Sequence, residues 1–197
     1  MIQIKDKSYC CGCTACYSIC PKQAILMQSD YEGFLYPKVN IRKCINCGLC
    51  NRVCPVTQEV VAEPFKRKAY VIRTTKENII SQSTSGGFAS PLLEWIIQHG
   101  GVICGATYDN KYKVIHKIVE EKSVDIFRGS KYVQSDLKDC FIKIKEYLKL
   151  GRLVCFIGTT CQVYGLKSFL QENYEHLITV DLVCHGTPSP KLWKRYL

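Results

Sequence analysis

Eight cysteines fall into two runs of identical spacing, and this repeat constrains the fold more than any other feature. The first run is Cys10, Cys13, Cys16 and Cys20, followed by Pro21; the second is Cys44, Cys47, Cys50 and Cys54, followed by Pro55. Each reads C-x2-C-x2-C-x3-C-P. Three thiolates so spaced wrap one face of an iron–sulfur cube, and the fourth, redirected by proline, ligates the other cube. The spacing therefore assigns Cys10, Cys13, Cys16 and Cys54 to one [4Fe-4S] cluster, and Cys44, Cys47, Cys50 and Cys20 to a second. Zinc is the weaker reading, because zinc sites pair two C-x2-C units or mix Cys with His, and no histidine lies near. A disulfide framework needs an oxidising compartment, and residues 1–9 carry no apolar run of a signal peptide. Cys11 is left over and reads as a bystander, with a one-residue exchange of ligands as the alternative.

The second run starts 34 residues after the first, an internal two-fold repeat typical of a bacterial-ferredoxin module. The chain's 197 residues leave room for one ordinary domain beyond it. The expected organisation is α+β: a ferredoxin-type module over residues 1–62, then an α/β domain over 63–197. Hydrophobic content of 47% with 22% charged residues is that of a soluble globular protein. No apolar run approaches the roughly 20 residues of a membrane span, and 14 cysteines without a signal peptide point to a reducing cytoplasm. The formal charge is +10, split as +3 over residues 1–62 and +7 over 63–197. Loaded clusters are anionic, so the basic surplus rests on the second domain, suiting an acidic electron carrier or a phosphorylated cofactor. Nucleic acid is excluded as the main reading, because the cations are scattered among acids with no recognition motif.

Along the chain, Ile2 and Ile4 alternate as in an edge strand. Strands are expected at 24–27 and 34–39, with a turn at 29–33. Residues 56–68 read as the connector, and 69–73 as a strand. The Ser/Gly-rich loop Ser81–Gly87 feeds a helix over 88–99. It is either a phosphate site or a helix start capped by Ser85. A hairpin is expected at 102–108 and 113–119, with His116 facing solvent. Arg128–Tyr132 is a polar loop with two cations, suited to an anion or to plain solvation. Ser135 and Asp136 are expected to cap the next helix, with Cys140 beside its apolar face. The last third reads as a βαβ unit: strand 153–157 with Cys155 packed inside, turn 158–162, helix 163–171 and strand 177–183. Cys161 with Gln162, and Cys184 with His185, then stand at neighbouring strand ends, where open α/β sheets gather ligands.

The stretches SQSTSGGFAS (81–90), GGVICGATYD (100–109), RGSKYVQS (128–135), GTTCQVYGLKSFL (158–170) and DLVCHGTPSP (181–190) resemble the coenzyme F420 hydrogenase/dehydrogenase beta-subunit family. GFLYPKV (33–39) is similar to the ferredoxin module fused to many members. The resemblance implies an iron–sulfur flavoprotein oxidoreductase that binds FAD and passes electrons between clusters and a two-electron carrier, coenzyme F420 or another hydride carrier. It implies a flavin site at Ser83, Ser85, Gly86, Gly87 and Phe88, and at Arg128, Gly129, Ser130 and Lys131. Thr159, Cys161, Gln162, Cys184, His185 and Gly186 would lie close by; it names no catalytic residue. The chain has Thr160 where the family has proline, and members continue well beyond the C-H-G motif, so the flavin domain is expected to be partial. A redox partner protein or larger subunit is implied. The alternative is a non-catalytic ferredoxin-like electron-transfer subunit or fragment docking a partner enzyme.

Overall fold

A computed structural model describes residues 1–4, 6–57, 68–121 and 124–197; most of the expected connector lies outside them. The sequence repeat is a repeat of backbone conformation. Gly12 and Asn46 both take positive φ (66° and 52°), as do Thr14 and Gly48 (65° and 77°). Each pair is separated by the same offset as the cysteine runs. These left-handed residues turn the chain back around the first three thiols of each run. Glycine and asparagine adopt this region readily, whereas β-branched Thr14 does so at a cost of roughly 1–2 kcal/mol. A single helical turn follows in each copy, α1 (Ala15–Ser18) and α2 (Leu49–Arg52).

Between the copies runs an antiparallel hairpin, β1 (Ile25–Ser29) and β2 (Leu35–Val39), with Ile25 opposite Val39 and Ser29 opposite Leu35. Its turn is closed by the Asp30 carboxylate, which accepts from the backbone N–H groups of Glu32, Gly33 and Phe34 at 2.9–3.0 Å. Ile2 and Ile4 form no strand. Ile2 is buried and its N–H donates to Cys50 Sγ at 3.1 Å, so a sulfur takes the place of a strand partner.

The second domain opens without the strand expected at 69–73. Tyr70, Val71 and Ile72 are exposed, and the segment lies along the Gly86 loop, with Thr74 N–H donating to Gly86 O at 2.8 Å. A β-carbon on Gly86 would stand 2.3 Å from Ile72 O, so only glycine admits this approach. After the short α3 (Glu77–Ile80), α4 (Ala89–Gln98) starts with Pro91 in its first turn, where a missing N–H is harmless. Its N-cap is Phe88 with no side-chain cap, so Ser85 does not cap it.

The sheet has order β4-β3-β5-β6, from β3 (Val102–Tyr108), β4 (Val114–Val119), β5 (Val154–Thr159) and β6 (Leu177–Leu182). β3, β5 and β6 are parallel and β4 is an antiparallel edge. Side chains alternate between two cores. Val102, Cys104, Val154 and Phe156 face α5 (Cys140–Lys149) and α6 (Thr160–Leu170); Ile103 and Cys155 face α4. α7 (Pro190–Tyr196) ends the chain, its Trp193 Nε1–H donating to Tyr112 O at 2.7 Å.

Two local expectations fail for one reason. Asp136 extends the sheet edge as an isolated parallel bridge to Ile115, donating to Val114 O and accepting from His116 N–H. α5 therefore starts at Cys140, not at Ser135 or Asp136. That bridge, with β5, also covers His116, which is buried rather than solvent-facing. Its Nε2 lies 3.1 Å from Ile157 O and its ring stacks on Phe156 at 5.5 Å.

Candidate functional site

The thiols of the second assignment, Cys20, Cys44, Cys47 and Cys50, line one cavity together with Ile25, Val39 and Ile45. Among the described residues no three metal-binding side chains converge as on a single ion; these thiols surround a space, as a polynuclear cluster needs. Three of them already accept backbone N–H groups: Cys50 from Ile2 (3.1 Å), Cys20 from Ala24 (3.3 Å) and Cys44 from Asn46 (3.4 Å). Such bonds stabilise thiolate charge, so the residues fit a [4Fe-4S] group. In the first assignment, burial pushes the Cys16 thiol up to about 12, helped by repulsion from Cys10 and Cys54. Uncompensated thiols this close favour protonation, and a cationic iron core reverses that preference. All 14 cysteines are free.

The first cysteine loop docks directly on the α/β domain. Cys13, Ala15 and Val53 share a core with Phe141, Val163 and Leu166. A β-carbon on Gly165 would lie 2.8 Å from Cys13 Cβ and 2.9 Å from its sulfur, so glycine in mid-helix is what lets this loop seat against α6. Tyr17 OH donates to Asp139 Oδ1 at 2.6 Å, and Leu35 N–H donates to Gln134 Oε1 at 2.8 Å. Cys11, read as a bystander, lies at this junction: its thiol interacts with those of Cys13 and Cys161, and its pKa is raised to about 12, first by Cys13.

Some of the remaining motif residues are connected through Arg128 and Lys131. Arg128 ties two motif loops together, donating from Nε to Ser90 Oγ (3.0 Å) and from Nη1 to Gln82 Oε1, and pairing with Asp125 at 2.9 Å. Lys131 donates to Ile126 O (3.2 Å) and Arg128 O (2.7 Å). Burial lowers its pKa to about 8, and among the described residues no carboxylate pairs with it. Ser83 Oγ is engaged with Ile79 O at 2.6 Å, while Ser85, Phe88, Gly129 and Ser130 are exposed.

The expected turn at 158–162 is absent: β5 runs to Thr159 and α6 begins at Thr160. Gln162 makes this abrupt junction. Its Oε1 accepts from Thr159 N–H at 3.0 Å and its Nε2 donates to Ser135 Oγ at 2.9 Å, so the buried amide is engaged at both ends. A β-carbon on Gly158 would stand 3.0 Å from Gln162 Oε1, which accounts for the glycine. Thr159 lies opposite Leu182 at the carboxyl ends of β5 and β6, and Thr160 Oγ1 donates to Asp181 at 2.8 Å. Cys184, His185 and Gly186 follow on the exposed exit of β6, and among the described residues no hydrogen bond joins them to the Arg128–Lys131 loop. Sequence reasoning missed Gln82, Ser90 and Ser135. All three sit inside motif stretches, but only the fold shows that they hold motif residues in place.

A two-copy cysteine module seated on a parallel α/β domain defines an iron–sulfur protein of the dicluster type. Residues 9–58 match the 4Fe-4S dicluster domain, and residues 151–197 match the C terminus of coenzyme F420 hydrogenase/dehydrogenase beta subunits. The chain is 34% identical over 65 residues to an uncharacterised ferredoxin of Methanocaldococcus jannaschii, covering 33% of this chain and 82% of the ferredoxin. It is 25% identical over 199 residues to the coenzyme F420-dependent sulfite reductase of the same organism, covering 94% of this chain and 29% of the reductase. Pyruvate synthase subunit PorD of Thermotoga maritima is 40% identical over 55 residues, covering 28% of this chain and 52% of PorD. A chain of the F420-reducing [NiFe] hydrogenase complex from Methanosarcina barkeri aligns with TM-score 0.48 and 22% identity, covering 61% of this chain and 46% of that one. The chain belongs to the dicluster ferredoxins by its N-terminal module, which it joins to a segment matching the C terminus of coenzyme F420 hydrogenase/dehydrogenase beta subunits. No helix among the described residues is long and apolar enough to cross a membrane.

Proposed function

We propose that this chain is an oxidoreductase subunit in which residues 63–197 hold a flavin, FAD by family resemblance, against the dicluster module of residues 1–62, and that it exchanges electrons with coenzyme F420 or a similar hydride carrier. The supporting observation is Lys131: a half-buried ammonium with no carboxylate partner among the described residues, beside an arginine that joins two family motifs. A desolvated cation of this kind is stabilised by an anionic group such as a cofactor phosphate. A flavin accepts two electrons as a hydride and releases them singly, which suits it to work beside one-electron clusters.

The chain's own residues have separable tasks. Arg128 holds the 81–90 loop against the 125–131 loop, and Lys131 supplies charge where water is partly excluded. Gln162 fixes the β5–α6 junction, and the Cys13–Gly165 contact sets how closely the first cysteine loop approaches it. Protein purified without oxygen should contain about eight irons and bind one FAD per chain. Cluster-loaded protein that takes up no FAD at saturating concentrations refutes the flavin reading and leaves a ferredoxin-like conduit.

A further inference from the structure

The two cysteine loops are placed unequally. The first is covered by α6 through Cys13 and Gly165. The second faces outward: Cys47 is exposed, and so are Ile41 (74%) and Ile45 (58%) on either side of Cys44. Four exposed cations lie on the segments that carry or adjoin these thiols, in excess of the anionic charge that one loaded cluster brings. Lys22 and Ile45 line the cysteine cavity. Arg42 and Lys43 lie on the turn that Cys44 N–H closes onto Asn40 O at 3.1 Å. Arg52 ends α2. None of the four has an ion-pair partner among the described residues, and the sequence has no Asp or Glu from Gly33 to Thr57. Of the module's four acids, Asp30 and Glu32 sit at the hairpin's closed end, roughly 17 Å away along five residues of strand, and Asp6 precedes the first cysteine run. The cavity is at its open end, where Asn40 N–H meets Ala24 O.

We infer that this face is the docking port for a small acidic one-electron carrier protein of the ferredoxin kind. An apolar centre bordered by cations that are unpaired among the described residues is the anatomy of a transient electrostatically steered interface. The Cys47 thiol reaches solvent there and offers a route into the module. The inference rests on the dicluster reading and extends the proposed function by fixing which loop faces the partner and which faces the α/β domain.

The test is the affinity of the cluster-loaded chain for an acidic 2[4Fe-4S] ferredoxin, measured by calorimetry at about 20 mM and about 300 mM salt, where screening lengths differ several-fold. Binding should weaken at least about tenfold at the higher salt, and R42E/K43E should weaken it at least about tenfold at the lower. K22E/R52E lies outside the Asn40–Cys44 turn and should do the same, which guards against failure of the first pair to load clusters. K117E/K149E, an equal charge change on β4 and α5, should alter affinity less than about two-fold. Equal weakening in the control pair, no salt dependence, or no binding by the wild type overturns the port. The readout needs no flavin: failure of the flavin reading leaves these affinities intact, whereas failure of the port leaves FAD binding intact.

Discussion

His116 gives the prediction that can be worked furthest from the structure. It is buried, with Nε2 beside Ile157 O, Nδ1 unpartnered and its ring on Phe156. Burial lowers its pKa from 6.5 to about 4, against smaller opposing effects of Ile157 O and Asp136. The folded state thus keeps His116 neutral where the unfolded chain is already protonated. Between about pH 6.5 and pH 4 the unfolded state binds more protons, so stability falls as pH is lowered through this window and is fully present above it. The shift is worth about 3 kcal/mol across the window, at about 1.4 kcal/mol per pH unit. The assay is denaturant unfolding of the cluster-loaded protein from pH 7.5 to 4.5, run beside His116→Gln. Glutamine keeps a donor for Ile157 O but does not titrate. Acid attack on the clusters acts on both proteins, so the difference in their pH slopes isolates the imidazole. Glutamine should cost about 1–2 kcal/mol at neutral pH, through lost stacking and packing, and should flatten the acid slope. Parallel slopes in the two proteins would refute a buried neutral histidine.

Three further substitutions probe the junctions. Gly165→Ala should raise helix stability by about 1 kcal/mol on propensity alone, but overlap with Cys13 should cost about 1–3 kcal/mol. A lower melting temperature with altered iron content is therefore expected, and a higher one with full iron would place the first cysteine loop elsewhere. Arg128→Met removes both ties between the motif loops and should weaken FAD binding at least about tenfold, an effect of charge-assisted bonds, with secondary structure by circular dichroism unchanged. Cys44→Ala should lower iron from about eight to about four per chain if only the second cluster is lost; full iron in that variant would overturn the ligand assignment.

What the sequence disclosed follows from the range of the interactions that encode it. The cysteine runs, hairpin and βαβ unit were legible because spacing, turn residues and apolar runs act within a few residues. The strand at 69–73 was misread for the opposite reason: Ala69–Arg73 has strand composition, but the approach to Gly86 lies outside any local pattern. His116 alternates like a surface residue along β4, and the Asp136 bridge, twenty positions later, shuts it in together with β5.

The G-T-T-C-Q stretch shows how a strand end that suggests a ligand site can carry structural work. Sequence places Cys161 and Gln162 at a strand end, in a turn over 158–162 where a ligand could gather. In the structure Gly158 makes room for the Gln162 amide, which closes Thr159 on one side and Ser135 on the other. A proline at position 160 would occupy the first residue of α6, where its missing N–H costs nothing; threonine there instead donates to Asp181 on the neighbouring strand. Thr160 thus adds a cross-strand bond at the junction where the Cys161 thiol meets that of Cys11 in the first cysteine loop.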